Sequence, residues 1–498
     1  MTAIPGDTHL TAERRQRDME ALAGGEAVDV LVIGGGVTGA GVALDAASRG
    51  LSVALVERND LAAGTSRWSS KLAHGGLRYI AAGQIGVAWE SAVERNRLAT
   101  VIAPHLIRPV SFLMPFYPSY PRGGRAASRL LFGVADGLRA ASRTPSWMPR
   151  TSWIDADETR RLVPAIGQIK GSYVHVDGAL EDDARLVVTI ARTAAGYGAR
   201  IVTHCSAVDI ARDGATVRDE LTGTTAQIKA RSVVVAAGVW SGGLVPNVPM
   251  SPSKGAHLVL PGAVLGNPTA AFNVLLPDSI NRFVFGCPRP DGTVLVGLTD
   301  EPVDTIDDEP SVTDADETFL LEMLSTGLAK PITSDDVIGQ YAGLRPLLGS
   351  GDDETADISR RHALLERDGV LVIVGGKLTT YRRMAQDAVD RAVELLGVDT
   401  SCRTGTLPLV GIAPRPEQDA PRLRRRFGGE AAEVATFGDD AIAPGVPVVR
   451  SEVAWAIRAE GAITVEDILD RRLRLDLVPA WRAAALPYVE EALNSSKK

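Results

Sequence analysis

A chain of 498 residues with 45% hydrophobic and 23% charged content has an ordinary globular composition and a length for two to four domains at ~100–200 residues each. Its 61 acidic against 53 basic residues give a formal charge of −8, which excludes a nucleic-acid partner held by a dominant basic surface and leaves any anionic ligand to be met locally. Cys205, Cys287 and Cys402 are scattered with no CxxC pair, as expected in a reducing compartment, and the seven histidines show no metal-ligand spacing, so no metal is expected.

The leader, residues 1–24, has no apolar core for a signal peptide, and Thr11 to Leu22 reads as a short surface helix. Val28 to Ile33, VDVLVI, is a short apolar run of the kind that forms a parallel strand buried on both faces. Gly34-Gly35-Gly36-Val37-Thr38-Gly39 then supplies G-x-G-x-x-G, and a helix follows to Ser48. Gly34 permits the tight turn, Gly36 lets backbone approach a pyrophosphate, and Gly39 lets the helix press on the sheet. The helix N-terminus presents N–H groups and a positive dipole end to phosphates. Ser52 to Val56 is the next strand, and Glu57 stands at its end, where a carboxylate accepts hydrogen bonds from an adenosine ribose. Strand, turn, helix, second strand and acid together predict a dinucleotide site. Glu57 alone would read as an exposed strand-end acid.

From Asn59 to Gly83 no further βαβ unit follows, although an NAD domain would continue its sheet here. The Gly- and Ser-rich stretch suits a long cofactor laid across the domain, with Thr65, Ser66, Ser69 and Ser70 offering hydroxyls, some of them mere turn formers. Pro121 to Arg150 carries Arg122, Arg125, Arg129, Arg139, Arg143 and Arg150 against the single acid Asp136, with an apolar interior of rough helical spacing. Two readings stand: a basic amphipathic helix on a membrane surface, or a cap helix packed on the protein with solvated arginines. Asp183 to Tyr197 predicts an amphipathic helix, and Ala199 to Thr203 and Ser232 to Ala236 predict strands, the latter ending at Ala237-Gly238. The uncharged stretches from Ser232 to Ser253 and Gly255 to Asn273 are broken by Gly, Pro and Ser, so neither predicts a membrane span. Val370 to Val374 predicts a last buried strand that opens through Gly375-Gly376-Lys377 into a helix near Thr379, a geometry whose helix N-terminus and lysine stabilise negative charge on a bound group. From about Thr400 the chain turns helical, with Thr464 and Asp467 as a capping pair and no catalytic constellation.

Ser69-Ser70-Lys71-Leu72-Ala73-His74-Gly75-Gly76-Leu77-Arg78-Tyr79 resembles the signature of the FAD-dependent glycerol-3-phosphate dehydrogenases. Lys254-Gly255-Ala256-His257, Gly343-Leu344-Arg345-Pro346-Leu347 and Gly375-Gly376-Lys377-Leu378-Thr379-Thr380-Tyr381-Arg382 agree with it in order. The resemblance implies an α/β fold: a discontinuous Rossmann-like FAD-binding domain (25–95, 180–245 and 345–399), an inserted antiparallel-sheet substrate domain (96–179 and 246–344), and a C-terminal helical domain (400–498). It implies oxidation of sn-glycerol 3-phosphate to dihydroxyacetone phosphate by hydride transfer to FAD, with electrons passed to a quinone at a membrane surface.

The site residues follow from the same motifs. His257 and His74 compete for the acid/base role, and Arg345, Arg78 and Arg360 match phosphate oxygens with planar donors, helped by Tyr79 and Lys377. The alternative for Lys377 is an exposed turn lysine; for a lone histidine or arginine it is a structural or surface role. Cofactor contacts are expected from Gly34, Gly36, Gly39, Glu57, Thr65, Ser66, Ser70, Lys71, His74, Gly75, Gly238, Lys377, Leu378 and Thr379, and from the backbone at Val208 beside the adenine. The location implied is cytoplasmic, peripheral on the membrane's cytoplasmic face, and a homo-oligomer is compatible. The alternatives are a glycerol-3-phosphate oxidase using oxygen, an amino-acid or amine oxidase of the same fold, and a catalytically silent flavin-binding scaffold.

Overall fold

The computed structural model describes residues 4–76, 79–80, 83–118, 124–276, 282–349, 362–417 and 419–496. Its first sheet is built on parallel strands in the spatial order Arg200–Val202, Val53–Val56, Val28–Ile33, Thr225–Val235 and Val370–Gly375, with His362–Arg367 antiparallel at the edge. Alternation along a strand sends successive side chains to opposite faces. Val30 and Val32 therefore join the helices Val37–Ser48, Asp183–Gly196 and Tyr381–Leu396 in one core, while Leu31 and Ile33 join a second core on the other face. Both faces are covered, which is why the strands read as continuous apolar runs.

The second core also takes Met19 and Leu22 from the leader helix Ala12–Ala23. This helix is more than a surface feature, since Arg15 is buried too and pairs with Asp219 at 2.7 Å. Thr225–Val235 is longer than expected, because its first half pairs with Gly214–Asp219 in an antiparallel meander that includes Cys205–Ala211.

A second sheet of ten strands runs Glu301–Pro302, Ser253–Pro261, Thr293–Gly297, Phe283–Pro288, Ala271–Leu275, Ile107–Pro115, Ser172–Leu180 and Leu72–Ala73, with Gly339–Arg345 also paired to Ser253–Pro261 and Ser152–Ile154 to Ser172–Leu180. All its pairs are antiparallel except Ala271–Leu275 with Ile107–Pro115. Leu72–Ala73, expected within the first domain, hydrogen-bonds to this second sheet and so ties the cofactor loop to it. The C-terminal region packs the helices Arg450–Ala459 and Pro479–Ser496 and the helical segment Asp467–Arg472 around their own core of Val453, Leu469 and Val489. Thr464 and Asp467 cap that segment reciprocally, at 3.1 and 3.0 Å.

Candidate active site

The parallel strands end at a cavity of about 630 Å³ that runs between the two sheets, the position where open α/β sheets bind ligands. Gly34 has φ +113°, and a Cβ there would lie 2.6 Å from the Ala236 carbonyl oxygen, so only glycine makes this turn. A Cβ on Gly39 would fall 1.8 Å from the Gly34 oxygen. Gly39 thus sets the helix tight against the turn from behind rather than lining the cavity. Gly34 and Gly36 do line it, as does Val37, whose N–H donates to Ser66 Oγ at 2.9 Å.

Glu57 enters the same cavity and accepts from the N–H groups of Gly35 at 2.6 Å and Asn59 at 2.8 Å. Burial raises its pKa, opposed by those two hydrogen bonds. Cys205, Ser206 and Ala207 line this end, whereas the neighbouring Val208 side chain is 53% exposed and faces away. Gly238, Leu378 and Thr379 line the cavity with Gly375, Gly376 and Lys377, so the last parallel strand does deliver a helix start to it. Bare glycine backbone, a terminal carboxylate and a helix N-terminus along one elongated cavity fit a dinucleotide with a long second half.

The second sheet supplies the opposite wall. His257 is 2% exposed, stacks on Tyr341 with centroids 4.7 Å apart, and shares a hydrogen bond with Ser70 Oγ at Nε2, 2.8 Å away. Tyr341 in turn donates to the Ser69 carbonyl at 2.9 Å, so ring and loop are fixed together. Gly297 faces His257 across the ladder, and a Cβ there would lie 2.5 Å from the imidazole. Burial, with Lys71 and Arg345 nearby, holds the His257 pKa well below the ordinary histidine value, so the ring is neutral.

His74 and Tyr79 also line the cavity and stack on one another, 6.1 Å between centroids. Lys377 Nζ sits 3.8 Å over the Tyr79 ring and bonds Ser91 Oγ. Thr65 lines the cavity and donates to the Leu344 carbonyl at 2.7 Å. Arg345 lines it too, but its guanidinium already donates to Asp300 at 2.9 Å, to Ser253 Oγ at 3.1 Å, and to the carbonyls of Lys254 and Thr299. The open bidentate face expected for a phosphate is therefore partly occupied by protein.

Besides Gly39 and Val208, two more expected cofactor residues, Lys71 and Gly75, lie outside the cavity lining. Lys71, with φ +56°, is 2% exposed and turns inward to Asp183 at 2.9 Å, and burial lowers its pKa to about 8. Gly75 lies behind the wall, donating to Asp177 at 2.9 Å against the Arg95 side chain. Arg78 and Arg360 fall outside the described residues. Sequence reasoning missed Trp68, Trp240, Phe112, His175, Asn273, Phe283 and Phe285 of the lining. Trp68 adjoins the serine motif and Trp240 follows the Ala237-Gly238 strand end in the helical turn Gly238–Trp240, so both could have been included; the others are single residues on strands, with no local signal.

The sequence profile of a family described as FAD dependent oxidoreductase matches residues 29–382, and that of the C-terminal domain of alpha-glycerophosphate oxidase matches residues 371–497. Glycerol-3-phosphate dehydrogenase 1 of Mycobacterium tuberculosis is 45% identical, over 99% of either chain. This chain belongs to the FAD-dependent glycerol-3-phosphate dehydrogenase family. Glycerol-3-phosphate dehydrogenase of Mycobacterium leprae is 35% identical over 93% of this chain and 83% of its own. A solved relative, the glycerol-3-phosphate dehydrogenase of Bacillus halodurans complexed with FAD, superposes with a TM-score of 0.74 at 27% identity, covering 97% of this chain and 94% of its own. The glycine oxidase of Geobacillus kaustophilus, at TM-score 0.51 and 17% identity over 76% of this chain and 96% of its own, is similar in fold alone.

Proposed function

We propose that this family member oxidises the secondary alcohol of sn-glycerol 3-phosphate to dihydroxyacetone phosphate, and passes the electrons to a quinone at the cytoplasmic face of a membrane. The observation that carries the reading is a neutral, immobilised His257 in the same cavity as the dinucleotide turn, Arg345 and Lys377. FAD, held along Gly34, Gly36, Glu57 and the helix start at Leu378, would supply the two-electron oxidant for the substrate carbon. The hydroxyl proton is received by His257 at Nε2, for which Ser70 Oγ is the present partner. Burial is the main cause of its low basicity, and an arriving phosphate dianion offsets the smaller part that comes from Lys71 and Arg345. Lys377, held over the Tyr79 ring and bonded to Ser91 Oγ, supplies one cation for the phosphate, and Arg345, braced by Asp300, a second.

Membrane contact is assigned to the helix Gly124–Ala141, which exposes Leu130 and Val134 beside Arg125 and Arg129 while burying Phe132. Among the described residues no helix is long and apolar enough to cross a membrane. Anaerobic mixing of the purified flavoprotein with glycerol 3-phosphate tests the reaction: the flavin absorbance should bleach within the mixing time. An unbleached spectrum, or turnover of glycine or sarcosine instead, refutes it.

A further inference from the structure

Lys71 belongs to a cavity motif yet points away from the cavity, and the turn around it accounts for this. Its φ of +56° is a left-handed conformation that strains an L side chain and persists only where the surroundings over-determine it. Here they do. Asp183, fully buried at the start of the helix Asp183–Gly196, accepts from Ser69 N–H at 3.1 Å, from Ser69 Oγ at 2.8 Å and from Lys71 Nζ at 2.9 Å. Ser69 Oγ accepts in turn from Lys71 N–H at 2.9 Å, and the Lys71 carbonyl accepts from Leu180 N–H at 2.8 Å. Arg474 Nε, 4.0 Å away, is a second cation facing Asp183, and Asp182 lies beside it. One carboxylate thus anchors both ends of the Ser69–Lys71 turn.

Ser70 stands between the two anchored residues, lines the cavity, and meets His257 Nε2 with its Oγ at 2.8 Å. The Ser69 carbonyl holds the Tyr341 hydroxyl at 2.9 Å, and the Tyr341 ring stacks on His257 with the two planes 9° apart. Both contacts that orient the imidazole therefore start from this turn. Among the described residues, no protein group hydrogen-bonds His257 Nδ1, so no third polar contact of the protein corrects a misplaced ring. Neither Asp183 nor Lys71 lines the cavity, so neither is placed to touch substrate or flavin. A buried ion pair adds little stability over apolar packing of the same shape, and its better-attested use is to fix one geometry.

Resting on the reading of His257 as the proton acceptor, we infer that Asp183 is a positioning residue for the reaction: paired with Lys71 and bound to Ser69, it sets the turn from which Ser70 Oγ and Tyr341 hold the imidazole in place. The motif lysine serves this turn rather than the cofactor.

Steady-state kinetics of the holoenzyme test this with Asp183→Asn, Ser69→Ala, Ser70→Ala and the double variants that combine each of the first two with Ser70→Ala, FAD content being measured throughout. Asp183→Asn and Ser69→Ala should lower kcat on the order of tenfold or more, as a misplaced catalytic group does. The KM for glycerol 3-phosphate should stay within about twofold, because the phosphate contacts are untouched. The pH profile of kcat/KM should move in the same direction as in Ser70→Ala. Since Asp183 and Ser69 act through Ser70, each double variant should lose clearly less than the product of its two singles. Multiplicative losses overturn the inference, as does wild-type kinetics with a lower Tm, the mark of a purely structural pair. If Asp183→Asn takes up no FAD, Ser69→Ala decides; loss of FAD from Ser69→Ala overturns the inference, since that hydroxyl would then serve the cofactor. A wild-type pH profile in Ser70→Ala ends the His257 reading as well, whereas a profile changed there and unchanged in the other two ends the positioning role alone.

Discussion

At the residue scale, the site depends on groups held still by neighbours. Arg345 lies over Gly255, where a Cβ would come 2.1 Å from Nη2, so glycine at 255 is what allows the guanidinium its place beside Asp300. Gly255→Ala should therefore act like a partial loss of Arg345. Both Gly255→Ala and Arg345→Ala are expected to raise the KM for glycerol 3-phosphate, the latter at least tenfold for a charge-assisted contact of roughly 1.5–3 kcal/mol. Steady-state kinetics with FAD occupancy measured in parallel checks this, and wild-type KM in Arg345→Ala would remove its phosphate role. Ser70→Ala deprives the buried imidazole of its partner at Nε2. The expected result is a changed pH profile of kcat/KM together with a lower kcat, because the ring is no longer held in one orientation. A pH profile superimposable on wild type would count against His257 as the proton acceptor.

At the element scale, the loop from Asn59 to Lys71 is held by ion pairs from the C-terminal region. Asp60, fully buried, receives Arg471 at 3.1 Å and Arg472 at 2.5 and 2.8 Å. Arg474 donates to the Arg67 carbonyl at 2.8 Å and lies 5.0 Å from the Trp68 ring, while Asp476 pairs with Arg67 at 2.9 Å. The C-terminal region, read from sequence as carrying no catalytic group, thus fixes the segment that presents Thr65, Ser66 and Ser70 to the cavity. Asp60→Ala would leave the buried Arg472 guanidinium without a carboxylate, while Arg471 keeps Asp467 at 2.7 Å, a loss of about 3–5 kcal/mol. A lower Tm and weaker FAD retention are expected, measured by thermal unfolding followed through flavin fluorescence. An unchanged Tm would show that the clasp is not needed.

At the scale of the whole molecule, His105 joins the second sheet's approach to the C-terminal region: a Cβ on Gly428 would lie 2.8 Å from its ring. Burial, with Arg185 and Arg424 nearby, lowers its pKa to about 4. The unfolded chain binds this proton near pH 6.5 and the folded chain only near pH 4, so the fold loses stability as pH falls through that window and keeps it above. Compared with His105→Leu, wild type should lose up to about tenfold in its folding constant per pH unit between roughly 6.5 and 4. Urea unfolding of both proteins at a series of pH values measures this, and parallel pH dependences would refute it.

The sequence by itself determined the dinucleotide turn, the acid at Glu57, the Gly375-Gly376-Lys377 strand exit and the family, because each is a local pattern whose physics needs only neighbours in the chain: glycine φ, strand alternation, a helix start. The structure places Gly34, Gly36 and Glu57 in one cavity and His257 in its facing wall. What only the tertiary structure decided are the contacts made across long separations. Lys71 belongs to a motif, yet its partner is Asp183, and burial with that carboxylate turned it inward. His175 and Asn273 carry no motif, and they face the cavity only because sheet register brings separate strands into one row. Chain neighbours fix backbone conformation; which side chains share a volume is fixed by packing, and a single sequence does not write that down.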